Sequence, residues 1–322
     1  METNLTYTNK GSGTDYTDYF NICKDLATVN SRNYEHTTRD GHVKGYIVSL
    51  ELQSLNPGNL VTVQTIPNSW KMRNSFRKFH AYRDLMFKNS GITEEEKGRY
   101  GKTIRPYMDD TLTVSNQPFV GTITGGDAAT GGEWSYSRLA TVPLYTEEGP
   151  TMGSSTLKVA DEWTLHVLDD NTFQTSESGT SGQYSSVGMI HSYNIDRMEV
   201  VTPSAEVTVD GPSNPLAALI ATGNQATGEI LDIAEEQELE LPPYDLLDNG
   251  DSVKASIAGI RRAGSLFTNL RWTGFVPAGL FSLNLNEGAP IAYKEGIPIP
   301  NGNPTFLMNM TVVAEVLCKD MA

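Results

Sequence analysis

The chain has 322 residues, 38% of them hydrophobic and 20% charged, with a formal net charge of −15. A chain of this size buries roughly 75% of the surface its unfolded form exposes, so its core needs neither disulfides nor metals. The charge argues against a sequence-independent grip on nucleic acid, which needs clustered Lys and Arg. Two cysteines, Cys23 and Cys318, are too few for a disulfide framework and read as free thiols of a reducing compartment.

Residues 1–42 are polar and turn-rich, with Tyr7, Tyr16, Tyr19, Phe20 and Ile22 as scattered anchors. They read as an N-terminal arm lying on another surface, because disordered tails are poor in aromatics. Residues 1–25 lack a basic stretch followed by an apolar one, which predicts no signal peptide, and no run of 18 apolar residues predicts a membrane span. Strands begin at His42–Leu52 and Leu60–Ile66, joined by the turn signal Asn56-Pro57-Gly58-Asn59, which predicts a hairpin.

One long helix follows. Ser69 is its N-cap, and Met72, Phe76, Phe79, Tyr82 or Arg83, and Met86 make one apolar stripe before Gly91 ends it. Thr93-Glu94-Glu95-Glu96 reads as a second, short helix start. Strands resume at Thr111–Ser115, Phe119–Thr124, Trp134–Leu144, Thr156–Leu168, Val187–Tyr193 and Arg197–Val201, with Asn171–Ser186 as a long loop or linker. Beyond residue 200 the pattern predicts strands at Glu206–Val209, Glu229–Ile233, Glu238–Leu241, Ser252–Ile260, Leu266–Phe275, Leu280–Leu285 and Thr305–Leu317, and a short helix near Asn214-Pro215. The predicted fold is all-β, two antiparallel jelly rolls in tandem (a double β-barrel). The first spans 43–200 with a helical insertion over 69–100, the second 201–322.

Motifs for chemistry are sparse. The five histidines form no HExxH pattern, and there is no GxSxG elbow, GxGxxG turn or Walker loop. This favours a non-enzyme without cofactors. Asp109-Asp110 and Asp169-Asp170 could lend oxygens to a structural Ca²⁺, although paired acids are more often solvated loops. The clearest constellation is electrostatic. Ten cations lie between Lys71 and Arg105, and Lys71, Arg73, Arg77, Lys78 and Arg83 on the helix are the candidate assembly or membrane-side contacts. Nine acids and no cation lie between Glu229 and Asp251. Such separation suits steering copies of one protein together, while the plainer reading makes each run a solvated face.

The whole pattern resembles the double jelly-roll major capsid proteins of tailless icosahedral viruses with an internal membrane, and within them those of finnlakeviruses, lipid-containing single-stranded DNA phages of Flavobacterium. The resemblance rests on the tandem β-units, the helix-bearing stretch Pro67–Gly91, and the strands Leu266–Leu285 and Pro304–Leu317. It implies a virion shell protein, made in the host cytoplasm. Its partners would be itself, as homotrimers forming pseudo-hexameric tiles, other virion proteins such as penton and spike, and the internal membrane, with no sequence-specific nucleic-acid binding. The alternatives are another β-rich virion protein, a spike or a single jelly-roll capsid protein, and a carbohydrate-binding β-sandwich with Trp70, Trp134, Trp163 and Trp272 as stacking faces.

Overall fold

Short apolar-alternating runs between turn residues commit most of this chain to strands. The computed structural model describes residues 2–9, 11–53, 55–93, 95–96, 103–122, 125–128, 134–140, 145–148, 155–158, 162–173, 184–198, 254–264, 269–288, 292–295, 297–299 and 302–321. In chain order the elements are β1 (Asn4–Thr8), β2 (Asp15–Asn21), α1 (Ile22–Asn30), β3 (Lys44–Gln53), β4 (Leu60–Thr65), α2 (Trp70–Asn89), β5 (Phe119–Thr122) and β6 (Gly125–Ala128). There follow β7 (Arg138–Ala140), β8 (Tyr145–Glu148), β9 (Ser155–Lys158), β10 (Glu162–His166), β11 (Thr172–Phe173), β12 (Tyr184–Gly188) and α3 (Met189–Met198). The last are β13 (Ser256–Arg262), β14 (Leu270–Pro277), β15 (Leu280–Asn286), β16 (Ala292–Lys294), β17 (Ile297–Ile299), β18 (Leu307–Leu317) and a 3-10 turn at Cys318–Met321.

The chain divides into two units. Unit 1 takes Met1–Arg77, Thr113–Ser135 and Lys254–Ala322, and unit 2 takes Lys78–Leu112 and Tyr136–Val253. Unit 1 holds two open four-stranded sheets, in the orders β1-β18-β3-β14 and β13-β4-β15-β2, all antiparallel. The pairing is nested. Of these eight strands the first pairs with the last, β2 with β15, β3 with β14, and β4 with β13. A long hairpin rolled up on itself gives this order, which is that of a single jelly roll. Inward residues of both sheets share one core, including Leu5, Tyr7, Val48, Leu50, Met308 and Met310 from the first and Phe20, Val61, Val63, Phe281 and Leu283 from the second. Phe20 stacks on Phe281 at 4.8 Å within its sheet, and Tyr7 meets Phe20 edge-on at 5.2 Å between sheets. Such aromatic contacts add to plain area burial.

The strand pairing runs across the boundary expected near residue 200. β3 and β4, from the expected first jelly roll, share both sheets with β13, β14, β15 and β18 from the expected second. Local hairpin signals cannot announce a partner some 250 residues away. The expected N-terminal arm is likewise built into the sandwich. Leu5 and Tyr7 of β1 and Phe20 of β2 alternate inward, and Asn21 caps α1 by accepting from the Lys24 amide at 3.1 Å.

The helical insertion begins where expected. Ser69 Oγ accepts the Met72 amide at 3.2 Å, the stripe Met72, Phe76, Phe79 and Tyr82 is buried, and Gly91 sits at φ +72°. The helix crosses the boundary at Arg77/Lys78. Within unit 2, β11-β12-β10-β7 form a mixed sheet in which β10 and β12 run parallel, and β8–β9 is a hairpin. The predicted strands at Val187–Tyr193 and Arg197–Val201 give way to α3 from Met189. Met189, Ile190 and Tyr193 are buried at helical spacing, and a side chain at Gly188 would strike the Asp169 carbonyl. Thr111–Ser115 forms no strand. The strands and helix expected over 201–250 lie outside the described residues.

Candidate interaction surface

Among the described strands β13 is an edge strand, laddered to β4 alone. Two residues three apart in a regular strand point to opposite faces. Here the register slips between Ile257 and Gly259, so Ala258 is an extra residue, a β-bulge. Ile257 then lies opposite Gln64 and Ile260 opposite Thr62, both on the outward face. They are 61% and 50% exposed. Trp272 of β14 holds the bulge from beneath, donating through Nε1 to the Ala258 carbonyl at 3.4 Å. Its ring occupies the space of any side chain at Gly259 or Gly274, where a Cβ would come within 2.8 Å and 2.2 Å of it. Arg261 and Arg262 follow, both exposed, with Arg261 Nη1 donating to the Ile260 carbonyl at 2.9 Å.

The rows beside this strip are polar. On the same face, Gln64 accepts from Ser282 and Asn284 donates to Thr17. On the outer face of the other sheet, Thr311 donates to Asn4 at 2.8 Å, Thr6 to Asn309 at 2.9 Å and Thr273 to Ser49 at 3.2 Å, while Arg271 pairs with Glu51 at 3.0 Å. Adjacent exposed isoleucines on an open edge therefore stand out, and natural proteins normally blunt such edges. Sequence reasoning marked the strand but missed its role. The available signals were Gly259 inside a strand, which marks a bulge, and the lack of a clean two-residue period, which marks an edge.

The five basic helix residues are not one free face. Lys71 and Lys78 are buried, at 7% and 1% exposure. Lys78 Nζ stands 5.8 Å from the Tyr193 ring centroid, and burial lowers its pKa to about 7. Arg73 is half-buried and donates to Asn68 Oδ1 at 3.2 Å. Arg83 is half-buried, donates to the Thr103 carbonyl at 2.5 Å and faces the Phe87 ring. Arg77 alone of the five is exposed. A helix whose apolar stripe is wide buries the aliphatic stems of neighbouring cations with it.

The paired acids lie in unit 2. Asp109 Oδ1 accepts from the Thr111 amide and hydroxyl, and Asp170 Oδ1 lies 3.3 Å from His191 Nδ1. Partial burial, with Asp109 and Asp170 nearby, raises the Asp110 pKa. Among the described residues no group of three or more His, Cys, Asp or Glu is arranged to hold a metal. His166 is enclosed, with Nδ1 2.7 Å from Ser186 Oγ and Nε2 2.5 Å from the Asp170 carbonyl. Both His166 and Ser186 are fully buried, so this pair offers no opening to a substrate. Trp163 and Trp272 are buried, and Trp134 packs on the unit 1 core, which takes three of the four tryptophans out of sugar stacking. Both thiols are buried, with pKa values pushed up to about 12 for Cys23 and about 11 for Cys318. No helix among the described residues is long and apolar enough to cross a membrane. Comparison with protein-family models, characterised proteins and solved structures finds no match to this chain.

Proposed function

We propose that this protein is a self-assembling shell subunit, a viral major capsid protein. The observation that carries the reading is the nested pairing of eight strands in unit 1. Jelly rolls of this order recur in capsid proteins, and also in lectins and cupins, so fold alone does not decide. Two further features favour assembly. The outer sheet faces are mostly polar rows, and Ile257 and Ile260 are exposed together at a sheet edge, with Val313 a single exposed apolar residue on the other sheet. Copies that join through such rims need only weak contacts, because a shell multiplies each one.

The resemblance to double jelly-roll capsid proteins calls for six barrels in a trimeric tile, with penton, spike and internal membrane as neighbours. A specific observation favours the single jelly-roll version instead. All eight strands of the roll come from the two chain ends, and unit 2 is inserted between β4 and β13. In that version virion location follows from shell membership.

Light scattering after size exclusion, with negative-stain microscopy of the same fractions, tests both. Closed shells or regular rings are expected. Trimers with six-fold outlines favour the double-barrel tile, and five- and six-fold rings of whole chains favour the single roll. A chain that stays monomeric at every concentration and salt tried would sink the proposal.

A further inference from the structure

We propose that the β13 edge is the docking strand for a second copy of this chain, received through an acidic surface. The inference rests on the assembly reading above and names its contact. Three observations carry it. β13 uses one side of its backbone for β4 and, among the described strands, has no neighbour on the other. The bulge at Ala258 brings Ile257 and Ile260 onto one outward row, which a single chain in water has no reason to expose together. Arg261 and Arg262 continue the strand, on a chain that carries 39 acids against 24 cations.

The charge selects the occupant. Two β13 strands pairing with each other across a two-fold axis would bring Arg261 and Arg262 of each near the Lys254 end of the other, with no acid on either strand to meet them. An acidic partner segment meets the same residues favourably, and the sequence contains one, with nine carboxylates and no cation between Glu229 and Asp251. Main-chain pairing along β13 supplies affinity, the two isoleucines fill the partner's apolar positions, and the arginines set register. The other edge of the same sheet is not equivalent. The β2 edge is already engaged by the Asn116 amide, which donates to the Tyr19 carbonyl at 2.6 Å. The contact is therefore head-to-tail in kind, between unlike surfaces, as ring-forming interfaces are.

The test uses the full chain and two variants, Ile257→Asp/Ile260→Asp and Arg261→Glu/Arg262→Glu. Light scattering follows association at about 50 mM and about 500 mM salt, a range over which screening shortens sharply. Association of the wild type should weaken with salt. Each variant should associate roughly tenfold more weakly or worse, with an unchanged far-ultraviolet spectrum. Hydrogen exchange provides a second readout that needs no variant. The β13 amides that point away from β4 should be open in dilute monomer and become protected on association, while β14 amides change little. Variants that associate like the wild type overturn this inference alone. So does protection of those outward-pointing β13 amides already in dilute monomer, which means the edge is covered within one chain. A wild type that never associates overturns the assembly reading together with it.

Discussion

The two units solve burial in different ways. Unit 1 closes two sheets on an apolar core from both chain ends, and its most enclosed acid, Asp25, is met by the Tyr7 hydroxyl at 2.8 Å. Unit 1 also buries Lys24, His36 and Lys71, but the bases whose pKa burial lowers lie in unit 2, Lys78 beside the Tyr193 ring and His166 between Ser186 and a backbone carbonyl. A buried acid and a buried base respond to pH with opposite sign, so the two units should part company as pH changes. The difference also separates what gives the fold its strength from what tunes it.

The largest effect is expected in the sandwich core. Phe281 is fully buried, stacked on Phe20, and sits in the strand that joins β4 to β2. Phe281→Ala should cost about 3–5 kcal/mol by transfer and cavity terms. Urea denaturation should show that loss. Hydrogen exchange should place it in β2, β4 and β15 and leave the unit 2 strands β10 and β12 nearly unchanged. Equal loss in both units would mean that the division is not one of stability.

Acid comes next. Burial lowers the His166 pKa from 6.5 to about 4, against the raising pull of the Asp170 carbonyl and Asp109. Between those values the unfolded chain holds more protons than the folded one. The stability from neutral His166 is thus complete above pH 6.5 and lost as pH falls toward 4, on the order of 3 kcal/mol in all. Burial raises Asp25 from 3.8 to about 7, despite the lowering effect of Tyr7 and Lys24. There the folded chain holds the extra proton, so that contribution is full below 3.8 and lost as pH rises toward 7. From pH 7 to pH 5, unit 2 amides should lose protection, corrected for intrinsic exchange rate, while unit 1 amides hold or gain. Asp25→Asn should flatten the unit 1 response. Parallel loss in both units would break the contrast.

Much of unit 1 was legible as pieces and illegible as a whole. The Asn56–Asn59 turn, the Ser69 cap and the strands near 270–286 and 307–317 follow from local chemistry and are present, but the turn carries the chain from β3 in one sheet to β4 in the other, so the expected hairpin does not form. Their assembly is not local. β1 pairs with β18 from the far end of the chain, and only the rolled-up pairing shows that residues 4–21 are strands of the core rather than an arm. α1 was missed because its start signal, Asn21 three residues before Lys24, sits in a stretch with no long apolar stripe. α3 was read as strand because Val187-Gly188-Met189-Ile190 is a short apolar run, which fits either structure. The interaction surface was hidden for a similar reason, since Ile257 and Ile260 share a face only through the bulge.

A smaller effect, and an opposite sign, is expected at Lys78. Its pKa falls from 10.5 to about 7 by burial, so the folded form favours the neutral amine. Unfolded chain holds the extra proton from pH 7 to 10.5, and stability from this residue increases across that window and is lost toward pH 7. Lys78→Met keeps the stem and removes the ionisable end, and should stabilise unit 2 at pH 7 by about 1–3 kcal/mol while flattening its alkaline rise. Denaturation at pH 7 and pH 10 reads both. Destabilisation at both pH values would mean that the amine's hydrogen bonds outweigh its desolvation.

Arg77 is expected to show the smallest change in stability, and it sharpens the contrast from the other side. It alone of the five basic helix residues is exposed, so Arg77→Ala should move the urea midpoint by less than about 0.5 kcal/mol. Any role it has must therefore appear between molecules. If the basic helix contributes to assembly, Arg77→Ala weakens association at low salt and does so independently of the Arg261→Glu/Arg262→Glu change, so the two effects add in the combined variant. If association is unmoved, Lys78 and Arg83 serve unit 2's interior beside the Tyr193 and Phe87 rings, and the sandwich edge is left to carry the contact between copies.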